Sequence, residues 1–186
     1  MRNNLILTAL ILSLIIVLPL LFGEDITDRP IVLIHGLGGS SKDMETMKNE
    51  LIKKGVPENN IRLINLPENY GSIIENASYV GNEIKKISEE FGGKKVMAVG
   101  YSMGGEMLDF VTKNQEENVT YMYDRYPTIT VSTPLGDIEL KDPTKIETAS
   151  KTISMPTHME KYINEVVMIG SGPSVLAWTG YGKSLE

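Results

Sequence analysis

The sequence predicts an α/β fold in which a parallel sheet is flanked by helices. Runs that are apolar throughout, such as residues 31–34, alternate with segments whose apolar residues recur at helical spacing. The connections between these segments are short, which favours right-handed crossovers between parallel strands. A chain of 186 residues has the usual size of one domain. We therefore expect a single domain over residues 31–186.

Residues 1–23 are predicted to form a hydrophobic helix that targets or anchors the chain. An uncharged apolar run from residue 5 to 22 follows Arg2. As a helix this run spans ~27 Å, against roughly 30 Å for the bilayer core, so a cleaved signal peptide and a membrane anchor both fit. Leu21 is a poor residue for signal cleavage, which favours an anchor. In either case the domain is expected outside the cytoplasm, anchored to the membrane or secreted.

The elements of the domain follow a short polar linker at residues 24–30. The strand at 31–34 is followed by a helix at 43–54 that glycine and proline end. A second strand at 60–67 precedes a long helix at 73–91, whose apolar residues share one face. A third strand, "KVMAVGYS", leads directly into a third helix, "GGEMLDFVTKNQ".

The pattern is weaker in the last third of the chain. Residues 128–134 are predicted to be a fourth strand of the sheet and residues 165–172 a fifth. A short helix is expected at 159–164. Net charge is −6, so no nucleic-acid partner is indicated. The absence of cysteine from the sequence excludes disulfides and thiolate metal sites.

A serine lies at the junction of the third strand and its helix. Gly100, Ser102 and Gly104 fit the pattern G-x-S-x-G, with a buried strand before it and an amphipathic helix after it. A sharp turn at this point projects the serine hydroxyl, and glycines on either side avoid a collision. The alternative, a phosphate-binding loop, lacks the following Lys-Ser/Thr. The context therefore predicts a nucleophile elbow.

Together, "PIVLIHGLGG" and "VGYSMGG" resemble the α/β-hydrolase family, in particular its small lipases and esterases. The resemblance implies that the backbone N–H groups of Leu37 and Met103 form the oxyanion hole. Gly36 belongs to the same oxyanion loop and leaves room for the substrate. His35 invites a catalytic interpretation, but its place in this loop favours a structural role.

The same resemblance leaves the acid and the base of the catalytic triad open. "VSTPLGD" resembles the strand after the nucleophile helix, and "VVMIGSG" the strand whose end supplies the acid. Neither an acid in that position nor a histidine follows, so the domain is expected to lack its last helix and strand. A relocated triad of Ser102, Asp137 and His158 is the hypothesis that keeps the family order. The alternative is that His158 is a surface residue.

Two functions remain at this point. The first is a serine hydrolase that cleaves carboxylic esters of an apolar acyl group, held at the membrane by its N-terminal segment and needing no metal or cofactor. The second is a truncated, non-catalytic protein of the same fold that binds an acyl ligand or a partner. Peptidase or thioesterase chemistry at the same site is not separated by sequence.

Overall fold

The computed structural model describes residues 26–67, 72–133, 136–142, 144–170 and 176–180. The predicted N-terminal hydrophobic helix lies outside these residues. Among the described residues, no helix combines the length and the apolar character needed to cross a bilayer. The chain forms two compact units: Glu116–Met155 is one, and the residues on either side of it make up the other.

The strands and helices have the following bounds. The strands are β1 (Ile31–Ile34), β2 (Ile61–Ile64), β3 (Val96–Tyr101), β4 (Asn118–Arg125), β5 (Thr128–Thr133), β6 (Gly136–Lys141), β7 (Glu147–Ser154), β8 (Ile163–Ile169) and β9 (Leu176–Gly180). The helices are α1 (Glu45–Lys53), α2 (Ile73–Glu90) and α3 (Met103–Lys113). Short 3₁₀ helices lie at Ile26–Asp28, Ser41–Met44, Glu58–Asn60 and Met159–Lys161.

The α/β unit is built on a five-stranded sheet with the order β2-β1-β3-β8-β9. The first four of these strands are parallel, and β9 runs antiparallel to β8. β1 and β3 lie inside the sheet and are almost entirely buried, which explains why both read as continuous apolar runs. The predicted parallel α/β fold is confirmed for this part of the chain.

Helices cover both faces of this sheet. On one face, the buried side chains of α1 join those of β1, β3 and β8 in a single apolar cluster; its α1 members are Met47 and Leu51. On the other face, α2 packs against α3, and α3 contacts β3 and β8. Burial of these apolar faces, at about 25 cal/mol per Å², is the main force that holds the unit together.

The parallel strands give the sheet two distinct edges. At the amino edge, the Val96 N–H donates to the Tyr162 carbonyl at 2.7 Å. At the carboxyl edge, the Ser102 N–H donates to the Ile169 carbonyl, also at 2.7 Å. Because β3 and β8 are parallel, α3 must run back from the carboxyl edge to the amino edge between them.

The second unit consists of two antiparallel strand pairs. β4 pairs with β7 over its whole length, and β5 pairs with β6. The prediction that residues 128–134 form a strand of the parallel sheet is wrong: β5 is a strand, but its described neighbour is β6 of the same hairpin. β8 is the strand that pairs with β3 in the parallel sheet. The strand predicted as the fifth is therefore the fourth parallel strand.

Candidate active site

Ser102 connects β3 to α3 and has an unusual backbone conformation. Its φ is 53° and its ψ is −122°, a combination that residues other than glycine seldom adopt. Its carbonyl accepts the Gly105 N–H at 2.9 Å, so the turn passes at once into the helix. The serine is partly exposed, whereas Met103 after it is buried. The chain therefore holds one strained hydroxyl-bearing residue at the carboxyl edge of the sheet.

The two glycines of the pattern are required by close backbone approaches. A Cβ at Gly100 would lie 2.5 Å from the carbonyl carbon and oxygen of Gly104. A Cβ at Gly104 would lie 2.7 Å from the carbonyl oxygens of Ile34 and His35. Real Cβ atoms do not come this near to backbone atoms. The strand, the elbow and the helix can therefore pack this closely only because both positions lack a Cβ.

The loop after β1 lies directly against Ser102. A Cβ at Gly36 would be 2.9 Å from the Ser102 Cβ and 3.2 Å from the Tyr101 carbonyl oxygen. The loop then turns, with the Gly39 N–H donating to the Gly36 carbonyl at 3.1 Å. The predicted oxyanion loop and the predicted nucleophile are therefore neighbours.

Leu37 and Met103 each provide a backbone amide at this junction. Within the part of the chain that is described, neither amide donates a hydrogen bond to the protein. Met103 is the first residue of α3, a position whose N–H has no acceptor within the helix and carries partial positive charge. Leu37 follows the glycine that touches Ser102, and its side chain is 60% exposed. Both amides are in the region where an oxyanion hole is expected.

His35 is fully buried, and both of its ring nitrogens form hydrogen bonds with backbone groups. Its Nδ1 is 2.8 Å from the Gly36 carbonyl, which can only accept, so this nitrogen donates. Its Nε2 therefore accepts the Leu66 N–H at 3.1 Å. Neither nitrogen is left to take a proton from Ser102 in this arrangement. The imidazole instead connects the oxyanion loop to the segment after β2.

Neither Asp137 nor His158 is brought to Ser102 by the described contacts. Asp137 lies in β6 of the second unit, opposite Ser132. His158 precedes the short 3₁₀ helix that leads into β8, and so lies near the amino edge, at the other end of the strands. Its side chain is 60% exposed and lies 3.3 Å from a Glu160 carboxylate oxygen. The relocated triad remains a prediction without support from these positions.

Three residues that support the loop were not predicted. The Asp43 carboxylate accepts the Ser40 N–H at 2.7 Å, a helix-start bond that the spacing Ser-x-x-Asp could have indicated. Asn65, after β2, accepts the Ser41 N–H at 3.1 Å. The Tyr101 ring would contact a methyl group on Gly36 or on Gly170, and so lies between the ends of β1 and β8. No sequence pattern signals these last two contacts.

A strained serine between a parallel sheet and a helix, faced by a glycine-rich loop, is the arrangement of an α/β-hydrolase-type serine hydrolase. The model of the family described as "Putative serine esterase (DUF676)" matches residues 27–166, and the chain belongs to this family. A solved structure, described as the crystal structure of the gene lin2722 products from Listeria innocua, matches with 18% identity and a TM-score of 0.40. That match covers 45% of this chain and 43% of the Listeria chain, so less than half of that protein's length is represented.

Proposed function

We propose that this protein hydrolyses carboxylic esters through Ser102. The observation that carries the proposal is the backbone of Ser102, at φ 53°, held between Gly100 and Gly104 with Gly36 against it. The Ser102 hydroxyl attacks the ester carbonyl, and the amides of Leu37 and Met103 stabilise the negative charge on the tetrahedral oxygen. The tetrahedral intermediate then breaks its bond to the alcohol, which leaves with the proton that the hydroxyl lost. Water hydrolyses the resulting acyl-enzyme, which releases the acid and restores the Ser102 hydroxyl.

An apolar acyl group is the proposed substrate class. The exposed Leu37 side chain stands beside the elbow, and Ile73 at the start of α2 is another exposed aliphatic residue at the carboxyl edge. Aliphatic side chains of this kind favour an apolar ligand over a charged one. The class is tested by an ester series of increasing acyl length, for which kcat/KM is expected to rise with chain length.

The alternative function is binding without catalysis. It is favoured by the positions of the two histidines in the sequence, since His35 is engaged by backbone groups and His158 lies near the amino edge. A serine hydroxyl without a base is a weak nucleophile. In that case the same junction would hold an acyl ligand by its carbonyl oxygen at the Leu37 and Met103 amides.

A fluorophosphonate probe distinguishes the two functions because it reacts with activated serines. We expect the full chain to be labelled and Ser102→Ala to be unlabelled. Ser150→Ala, which alters an exposed serine of β7, is the matched control and should label like the parent. A parent chain that is folded by circular dichroism yet unlabelled would establish the non-catalytic alternative.

We also propose that the domain lies outside the cytoplasm, attached to a membrane by residues 1–23 or secreted after their removal. Support comes from the uncharged run at 5–22 that follows Arg2. Fractionation of cells that express the full chain, followed by protease treatment of intact cells, tests this location. Recovery in the soluble cytoplasmic fraction would disprove it.

A further inference from the structure

The oxyanion loop begins with a tight turn over residues 36–39. The Gly39 N–H donates to the Gly36 carbonyl at 3.1 Å, which closes the turn. Its third residue, Gly38, has a φ of 68°, whereas Leu37 before it does not have a positive φ. A negative φ followed by a positive one defines a type II β-turn, whose third position favours glycine. We call residues 36–39 the oxyanion turn.

The Leu37 N–H lies in the peptide that enters the oxyanion turn. Its direction therefore depends on how the whole turn is oriented against Ser102. The other three residues of the turn are glycines, whose backbone is freer to rotate than that of any other residue. The orientation of the turn must accordingly be fixed by contacts from outside it.

Contacts at both ends hold the oxyanion turn. At its first residue, Gly36 lies against Ser102, and the Gly36 carbonyl accepts the His35 Nδ1–H at 2.8 Å. Directly after the turn, Ser40 is bound by Asp43 through both of its backbone groups. The Asp43 carboxylate accepts the Ser40 N–H at 2.7 Å, and the Asp43 N–H donates to the Ser40 carbonyl at 3.0 Å.

The Asp43 carboxylate also lies against the turn itself. A Cβ at Gly39 would be 2.8 Å from the Asp43 Oδ2 and 3.2 Å from the His35 Nδ1. The φ of Gly39 is not positive, so the backbone conformation alone does not require glycine there. The lack of a side chain at this position instead leaves room for the carboxylate beside the last residue of the turn.

Asp43 has a fixed position because its neighbours in the chain are anchored. Met44, the next residue, is buried in the apolar cluster that joins α1 to the sheet. The Ser41 N–H donates to the Asn65 Oδ1 at 3.1 Å, which connects this segment to the end of β2. Asp43 can therefore hold the turn in place relative to the sheet, and not only relative to its own loop.

We propose that Asp43 is a positioning residue for ester hydrolysis: by binding Ser40, it orients the oxyanion turn so that the Leu37 N–H points at the oxygen that becomes negatively charged. The proposal rests on the esterase function proposed for Ser102. Asp43 acts through the turn and not on the substrate. Since a displacement of about 1 Å at a reacting group can lower a rate by ~100-fold, a weaker hold on the turn slows acylation.

Three variants of the full chain separate the hydrogen bond from the charge. Asp43→Ala removes both the acceptor and the charge, whereas Asp43→Asn removes the charge and keeps an acceptor oxygen. Glu45→Ala, the control, removes an exposed carboxylate at the start of α1. If charge alone mattered, both Asp43 variants would react faster than the parent, because a nearby anion opposes a developing oxyanion.

Each variant is compared with the parent by the second-order rate constant of fluorophosphonate labelling, and by kcat and KM for p-nitrophenyl butyrate. Asp43→Ala is expected to lower the labelling rate and kcat by ~10-fold with KM within ~2-fold, because the oxyanion contact forms in the transition state. Asp43→Asn should stay within ~3-fold of the parent, since it still accepts the Ser40 N–H. Glu45→Ala should match the parent.

Amide hydrogen exchange reports the oxyanion turn independently of catalysis. The Gly39 and Ser40 amides, both hydrogen-bonded in the parent, are expected to exchange faster in Asp43→Ala and at the parent's rate in Asp43→Asn. A folded but unlabelled parent would overturn the esterase function. Exchange would then still decide whether Asp43 holds the turn.

Three results would overturn the positioning role. The first is labelling and exchange in Asp43→Ala at the parent's rates, and the second is an Asp43→Asn variant as slow as Asp43→Ala. The third is an equal loss in Glu45→Ala. If Asp43→Ala does not fold, Gly39→Ala tests the same contact, because its Cβ must displace the Asp43 carboxylate; it is expected to slow labelling as well.

Discussion

At Gly36 and Ser102, two backbone segments approach more closely than side chains allow. A Cβ at Gly36 would be 2.9 Å from the Ser102 Cβ. Since a displacement of about 1 Å at a reacting group can lower a rate by ~100-fold, the absence of one methyl group at this glycine matters to the chemistry. The strain at Ser102 persists because strand, loop and helix fix it together.

Gly36→Ala is expected to slow fluorophosphonate labelling by ~10- to 100-fold, because the new methyl group must displace Ser102 or the oxyanion loop. The rate of labelling under pseudo-first-order conditions measures this. Gly55→Ala is the control, because a Cβ there meets nothing within 4 Å and only the φ of +97° is strained. That variant should lose stability but keep its labelling rate. Equal rates in both variants would contradict the proposed closeness of loop and nucleophile.

Replacement of each of the two histidines by alanine is expected to change the free energy of unfolding by a different amount. His35→Ala leaves the buried Leu66 N–H without its acceptor, at a cost of about 1–3 kcal/mol, whereas the Gly36 carbonyl still accepts the Gly39 N–H. His158→Ala removes an exposed side chain and should change the free energy of unfolding by less than ~0.5 kcal/mol. Urea unfolding measures both. His158→Ala is also expected to retain probe labelling; loss of labelling in a folded protein would support the relocated triad.

Within the second unit, Asp142 links the residues at the open end of the β5–β6 hairpin, where β5 begins and β6 ends. Its N–H donates to the Pro127 carbonyl at 2.8 Å, and its carboxylate accepts from Thr144. The Thr144 hydroxyl, and after it the Thr144 N–H, hold the pKa of this carboxyl below its usual range. The folded pKa is thus lower than the unfolded value of about 3.9. This carboxylate therefore stabilises the unit above about pH 4 and ceases to do so as pH falls through the folded pKa.

Asp142→Asn is accordingly expected to accelerate amide hydrogen exchange in β5 and β6 at about pH 6, where the parent carboxylate is ionised. The difference from the parent should shrink as the pH falls through the folded pKa of this carboxyl, because its charge is then lost. Exchange rates are compared after correction for the intrinsic effect of pH. Glu139→Gln, on the exposed polar face of β6, is the control. A difference that is constant across this range would disprove the assignment to ionisation.

The elements that the sequence predicted well are those buried in the α/β unit. β1 and β3 are uniformly apolar because both of their faces are covered, and the helix spacing of α2 matches its buried face. The sequence predicts β5 as a strand of the parallel sheet, yet "TITVST" alternates apolar and polar residues, which is typical of a strand with one exposed face. "DIEL" alternates in the same way after a Pro and a Gly, which is a hairpin signal.

At the candidate site, the sequence predicts contacts within a short motif but not contacts between loops that are far apart along the chain. The predicted elbow and the predicted oxyanion loop are local motifs, and Gly36 of the loop lies against Ser102 of the elbow. The roles of Asn65 and Tyr101 depend on which loops meet at the carboxyl edge, and this follows from the strand order rather than from any short pattern. The order of Ser102, Asp137 and His158 along the chain says nothing about the edge or the unit in which each residue lies.

At the scale of the whole molecule, the second unit should be removable. Its two ends are adjacent, since the Met155 N–H donates to the Glu117 carbonyl at 2.8 Å. Replacing residues 118–154 with Asn-Gly should close this gap with a tight turn at little entropic cost. The shortened chain is expected to retain a cooperative urea transition and probe labelling at Ser102. An unfolded or aggregated product would show that the α/β unit needs the second unit to fold.

The length of β3, six residues, determines how far Ser102 lies from the beginning of the strand. At ~3.3 Å per residue, the strand carries Ser102 about 20 Å from the edge at which the parallel strands begin. If that edge faces a bilayer, the nucleophile points toward the aqueous compartment. Such an enzyme would sample esters that diffuse through water, and a lipid of its own membrane would have to leave the bilayer to reach Ser102.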